Sequence, residues 1–195
     1  MNTTHSDLLR RTLQDPRKGA RAVLSLGVPL PVRTAGLLLM AILSTLVSHI
    51  GFLLLPPSGD PLAVFLSASP LRTAVMQWLL LAGTALLIYR VGRMRGGKGA
   101  LPDALLMVLW LQVPMLIIQI AQLFALVLLP PLAALISIGG FILYLWLMTN
   151  FIAELHGFVS RGAVFAGIII TSFVVAFVLV ILLALIFGPQ ALANV

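Results

Sequence analysis

The sequence predicts an all-α, polytopic membrane protein with five transmembrane helices, preceded by a short amphipathic helix at the membrane surface. Hydrophobic residues make up 61% of the chain and charged residues only 9%, so a water-soluble fold would lack the polar surface to cover itself. Five apolar runs are each long enough to cross the roughly 30 Å hydrocarbon core as a helix. Cations are concentrated in alternate connections between these runs, as in multi-pass proteins.

Prolines and glycines set the limits of the five spans. The first run ends at Pro56-Pro57, and the second is entered through Pro70. Pro130-Pro131 separates the third and fourth runs by so short a turn that these two spans must be antiparallel. The predicted spans are 34–55, 71–89, 103–129, 132–152 and 163–187. They form one transmembrane domain over 34–189, followed by a short tail at 190–195.

Basic residues orient the chain in the membrane. Eleven of the twelve Lys and Arg residues lie before the first span, after the second or after the fourth, and Arg72 is the exception. The positive-inside rule therefore predicts a cytoplasmic N-terminus and a periplasmic C-terminus, in a bacterial inner membrane.

Residues 1–33 form a basic cytoplasmic segment with one predicted helix. Asp15 is a good N-cap and Pro16 suits the first helical position, so a helix is expected over about 16–26. Its cations share one arc and apolar residues fill the rest, which indicates an interfacial helix on the cytoplasmic leaflet. The alternative is a solvated lead-in without defined docking. The cations expected to contact anionic headgroups are Arg17, Lys18, Arg21, Arg33, Arg90, Arg93, Arg95 and Lys98.

Polar residues at the end of the fourth span form the first candidate functional group. Glu154 lies close in sequence to His156 and Arg161. A carboxylate and an imidazole there could relay a proton. The alternative is that Glu154 pairs at headgroup level with Arg161 or with a cation of the 90–98 loop.

A stripe of glutamines on the third span is the second candidate. Gln112, Gln119 and Gln122 fall within an arc of about 80° and should face other helices. Interhelical hydrogen bonding explains such a stripe, and a polar conduit is the alternative.

The sequence carries no recognisable catalytic or metal-binding set. There is no cysteine, no H-E-x-x-H, and the five acids are spread over separate segments. We therefore expect no enzyme activity, no metal and no cofactor. The net charge of +7 borders apolar spans, so it indicates membrane lipids with anionic headgroups as partners rather than nucleic acid.

The order of these parts resembles the bacterial branch of the Yip family, the Ypt/Rab-GTPase-interacting membrane proteins. The resemblance is carried by Asp15-Pro16-Arg17, by five spans, and by the segment 151–165, above all His156-Gly157-Phe158 with Val164-Phe165. It implies the fold and a membrane location. Eukaryotic relatives are implicated in vesicle traffic through prenylated GTPases, but this sequence lacks their Asp-Leu-Tyr-Gly-Pro and Gly-Tyr-Gly elements.

The function expected from the sequence is a non-enzymatic inner-membrane scaffold that organises lipid or binds protein partners, with possible self-association. The alternative is a small oligomeric transporter or channel subunit that uses the polar stripe of the third span.

Overall fold

The computed structural model describes residues 5–57 and 61–187, and its regular structure there is entirely α-helical. The helices are α1 (His5–Gln14), α2 (Pro16–Leu24), α3 (Leu30–Leu54), α4 (Pro61–Ser67), α5 (Pro70–Met94), α6 (Leu101–Leu128), α7 (Pro130–His156) and α8 (Arg161–Phe187). Within the described part, α3, α5, α6, α7 and α8 are long and apolar enough to cross a membrane. The predicted all-α, five-span fold is confirmed, and the predicted tail 190–195 lies outside the described residues.

The chain divides into two compact units, of which the first ends at Phe158. In this unit α6 is the central helix, because it packs against α2, α3, α5 and α7. Its core is built from the inward faces of all these helices, and Leu37, Leu111, Leu147 and Phe151 are almost completely buried. Leucines on the outward faces are exposed, and Leu53 reaches 82%. This is expected where the surrounding solvent is lipid.

Small residues allow the helices of this unit to approach closely. Ala41, Ala85 and Ala104 are fully buried at helix contacts. A Cβ on Gly36 would lie 2.7 Å from Leu109 Cδ2, so a larger residue there would force the Leu109 side chain to move. Lipid gives helices little hydrophobic drive to associate, so such close packing supplies much of the attraction.

The observed spanning helices extend past several of their predicted ends. Proline is tolerated in a first helical turn, so α3 begins at Leu30, before Pro31, and α7 begins at Pro130 itself. At the other end, α5 continues to Met94 and carries Arg90 and Arg93 on its last turns. Hydropathy marks the part of a helix that meets lipid, whereas caps decide where the helix stops.

The N-terminal segment is a helical hairpin, and α1 has no counterpart among the predicted elements. Asp15 caps α2 as expected, and its carboxylate accepts a hydrogen bond from the Lys18 N–H. The sequence predicts an interfacial helix here, and Ala20 and Val23 of its apolar arc are buried in the cluster that includes residues of α6 and α7. This packing fixes one side of α2 to the protein, and the position of α2 at a membrane surface stays a prediction.

The second unit begins at Val159 and contains α8. Its first turn is capped by Ser160, whose Oγ accepts a hydrogen bond from the Ala163 N–H over 3.2 Å. This cap lets the helix start at Arg161, two residues before the predicted span.

The hairpin depends on the close contact between α1 and α2 at Gly19. A methyl group added there should weaken this contact. A Cβ on Gly19 would lie 2.6 Å from the backbone Cα of Thr12, which cannot rotate away. We therefore expect Gly19→Ala to loosen the hairpin by about 1–3 kcal/mol, and trypsin to cleave several-fold faster between Arg10 and Lys18.

Gly83→Ala is the matched control, because no atom lies within 4 Å of the added Cβ. Equal cleavage rates for the two variants would show that the close contact is not needed for docking.

Candidate functional site at the basic end

The first unit has one end at which α3 and α6 begin and α5 and α7 finish, and we call this the basic end. Its arrangement is fixed by contacts between distant segments. Arg33 Nη1 lies 2.8 Å from Asp103 Oδ1, which joins the starts of α3 and α6. The Gly99 N–H, just before α6, donates to His156 Nδ1 at the end of α7 over 3.2 Å. The loop between α5 and α6, residues 95–100, therefore lies against the last turn of α7.

His156 is the most constrained side chain of the basic end and is only 2% exposed. Its Nε2 lies 3.1 Å from the Ile88 carbonyl oxygen of α5, while its Nδ1 accepts from Gly99. A carbonyl can only accept, so the ring carries its proton on Nε2 and is neutral. Its own carbonyl also accepts from the Lys98 N–H. One residue thus joins α5, α7 and the loop.

Three glycines make room for this ring. A Cβ on Gly92 would clash with His156 Nε2, and one on Gly97 would clash with Nδ1. On Gly99 the nearest ring atom, Cε1, would be 2.8 Å away. These contacts explain the glycine content of the basic stretch. We name Gly92, Gly97 and Gly99 with His156 the histidine cage.

Left-handed glycines end both helices beside the cage. Gly96 has φ +80° after α5, and Gly157 has φ +73° after α7. In each case the following N–H bonds a carbonyl five residues back, as in a Schellman motif: Gly97 to Gly92 O, and Phe158 to Ala153 O. The loop conformation is therefore set by the backbone as well as by the ring.

Arg33 differs from its predicted role as a headgroup contact. Its side chain is only 10% exposed, it pairs with Asp103, and its Nε donates to the Val28 carbonyl over 2.6 Å. A guanidinium held by a carboxylate and a carbonyl is not available to lipid. Arg33 instead ties α3 to α6.

Glu154 forms an ion pair, but with a residue that the sequence did not indicate. Its Oε1 accepts from Arg21 Nε, and Arg21 Nη2 lies 2.8 Å from the same oxygen. This hydrogen bond, together with the negative charge, raises the pKa of the Arg21 guanidinium. Arg17 Nη2 donates to the Phe158 carbonyl over 2.6 Å. Two arginines of α2 thus hold the end of α7, which leaves Glu154 paired rather than arranged for proton relay with His156.

Four cations, two on the last turns of α5 and two on the loop after it, lie at the surface. Arg90, Arg93, Arg95 and Lys98 are all exposed. The three carboxylates with an ion pair in the described chain, Asp15, Asp103 and Glu154, are paired with Lys18, Arg33 and Arg21. No described acid therefore forms a salt bridge with the four cations just named. Arg161 belongs to the second unit and is also exposed.

On the polar stripe of α6, Gln119 makes interhelical hydrogen bonds. Its Nε2 donates to the Ser44 carbonyl and to Ser48 Oγ of α3, both over 2.9 Å. Gln112 and Gln122 are half-buried on the same helix. In the described residues, no three His, Asp or Glu side chains form a group that could hold a metal ion.

The Yip1 domain model matches residues 10–183 of this chain. The chain belongs to the Yip1 domain family. The match confirms the resemblance found in the sequence, and it takes in the hairpin from Arg10, the histidine cage and most of α8. It also identifies a multi-pass membrane protein of a family not known for enzymes. Searches of curated proteins and of solved structures gave no match.

Sequence reasoning missed several residues that build this site of the Yip1 domain. Thr12 accepts a hydrogen bond from Trp110 Nε1 over 2.9 Å and so joins α1 to α6. Neither residue carries a pattern that would pair them across 98 positions. The cage glycines did leave a signal, since four glycines fall within 92–99, but their common neighbour lies 57 or more residues away.

The cage predicts strong coupling between Gly92 and His156. Gly92→Ala should destabilise the protein by about 1–3 kcal/mol through overpacking, and His156→Ala should do so by leaving the Gly99 N–H without its acceptor. The double variant should lose less stability than the sum of the two single losses, because removal of the His156 ring leaves space for the methyl group at position 92.

Thermal unfolding in detergent of all four proteins measures this coupling. Gly139→Ala is the control, since a Cβ there meets no atom within 4 Å. Strictly additive losses would mean that the ring and the glycine do not share a contact.

Proposed function

We propose that this protein is a non-enzymatic membrane scaffold whose basic end contacts anionic lipid headgroups on the cytoplasmic face of a bacterial inner membrane. The observation that carries the proposal is a set of four exposed cations, of which Arg90 and Arg93 lie on the last turns of α5 and Arg95 and Lys98 on the loop after it, where internal contacts hold the backbone in one shape. Anionic lipid attracts such residues by about 1 kcal/mol each.

The distribution of acids supports this function. Cations that stabilise a loop by forming salt bridges need carboxylates close to them. Here the acids of the basic end pair with α2 and α3 instead. The four cations therefore have no carboxylate partner among the described residues. Lipid phosphates at the end of a spanning helix could take that place.

The cytoplasmic orientation and the absence of catalysis rest on the sequence. Eleven of twelve cations fall in segments that the positive-inside rule assigns to the cytoplasm. The rival function, a transporter or channel subunit, draws no support from Gln119, because its amide already donates to α3. Protein partners and self-association belong to the proposal as further roles of the same scaffold.

Lipid selectivity tests the proposal on the full chain. The protein is reconstituted in mixed bilayers, and spin-labelled anionic and zwitterionic lipids report its relative association constants. Replacing Arg90, Arg95 and Lys98 together by Gln should lower the preference for anionic lipid at least about fivefold, the effect of about 1 kcal/mol, and up to roughly 150-fold if each lost cation contributes that much.

The matched control replaces Arg90 and Arg95 by Lys, which keeps the charge and should keep the preference. High salt should weaken the wild-type preference as well, because exposed charges are screened. An unchanged preference in the Gln variant would refute the lipid role of the loop.

A further inference from the structure

The hairpin of α1 and α2 is fixed to the bundle along one side. Ala20 and Val23 of α2 are buried in the cluster with residues of α6 and α7. Arg17 and Arg21 bind the end of α7, and Thr12 of α1 binds Trp110. These contacts fix the level of the hairpin relative to the spanning helices.

That level can be read from Trp110. It lies seven residues beyond Asp103 in α6, or about 10 Å along the helix axis. Side chains on a helix lean toward its N-terminus, so the indole reaches back toward the basic end. Thr12 therefore lies beside the first turns of α6, within about 10 Å of the level of Asp103 along the helix axis. Charged pairs at a span end mark the headgroup region.

The surface of α1 has an apolar stripe that the protein covers only in part. Leu8 and Thr12 face the protein and are 3% and 0% exposed. Leu9 and Leu13, also four residues apart, form the adjacent stripe, where Leu9 is half-buried and Leu13 is 42% exposed. Polar residues occupy the rest of the exposed surface that the structure describes on α1, namely Ser6, Asp7, Arg10, Arg11 and Gln14.

We infer that α1 inserts its Leu9–Leu13 stripe into the leaflet at the basic end, while Arg10 and Arg11 stay among the lipid phosphates. Apolar residues beside cations at headgroup depth are the arrangement of an interfacial helix. The sequence predicts this position for α2, but Ala20 and Val23 of its apolar face pack against the bundle, whereas Leu13 of α1 is exposed. The inference rests on the proposed function, which it deepens by naming a second lipid-contacting element.

Because the chain has no cysteine, single-cysteine labels can test this depth without background. Leu13→Cys and Arg10→Cys place spin labels on adjacent faces of α1 in the reconstituted full-length protein. Leu53→Cys provides the lipid-facing reference, and Lys18→Cys provides the exposed hairpin reference. Power saturation then compares collisions with oxygen, which concentrates in lipid, and with a water-soluble nickel chelate.

The label at position 13 should show an oxygen-to-nickel ratio several-fold above that of position 10 and closer to that of position 53. A ratio at position 13 equal to that at position 18 would overturn the inference. The two proposals fail separately: a wet Leu13 site with intact lipid selectivity removes only the inserted stripe, whereas a dry site without selectivity removes only the role of the loop cations. Arg11 and Arg17 are present in every variant, so unchanged slow cleavage by trypsin after these two residues shows that the hairpin is still docked.

Discussion

The ring of His156 is the contact on which the basic end depends. It accepts from the loop through Gly99 and faces the α5 carbonyl of Ile88, so two spanning helices and their neighbouring connection share one neutral side chain. Its low exposure makes these bonds strong and their loss costly. Any side chain larger than a hydrogen atom at Gly92, Gly97 or Gly99 would clash with this ring. Arg95 and Lys98 therefore lie on a loop whose backbone is held by internal hydrogen bonds, and a preorganised backbone of this kind lowers the entropy cost of binding for the proposed lipid contact.

The cations of the basic end fall into two groups, those paired with a carboxylate and those without one. Structural cations receive the carboxylates: Arg33 has Asp103 and Arg21 has Glu154. A buried guanidinium without a partner would be expensive in this environment, whereas an exposed one beside lipid phosphates is favourable. Asp103 thus neutralises Arg33, whose side chain is only 10% exposed. At the other pair the arginine is the exposed partner: Arg21 is 71% exposed, and it neutralises Glu154, which is 16% exposed.

The spans could be predicted from the sequence because lipid imposes a simple rule: every buried backbone group must be satisfied within the helix. Even the separation of α6 and α7 followed from Pro130 and Pro131. The site could be predicted only in part. The position of Glu154 near a cation was foreseen, but its partner, Arg21, comes from a segment 133 residues away. Arg33 looked like other basic residues until its contact with Asp103 was visible, and α1 is too polar and short for hydropathy to reveal.

The central claim is that the loop cations and the hairpin face one side of the membrane, and that this side is cytoplasmic. The most direct measurement uses Lys98→Cys and Ala68→Cys, which lie at opposite ends of α5, in sealed vesicles of known orientation. An impermeant maleimide should label position 98 only in vesicles with the cytoplasmic face outward, and position 68 only in the reverse orientation. Labelling of both positions from the same side, or labelling in the opposite order, would contradict the account.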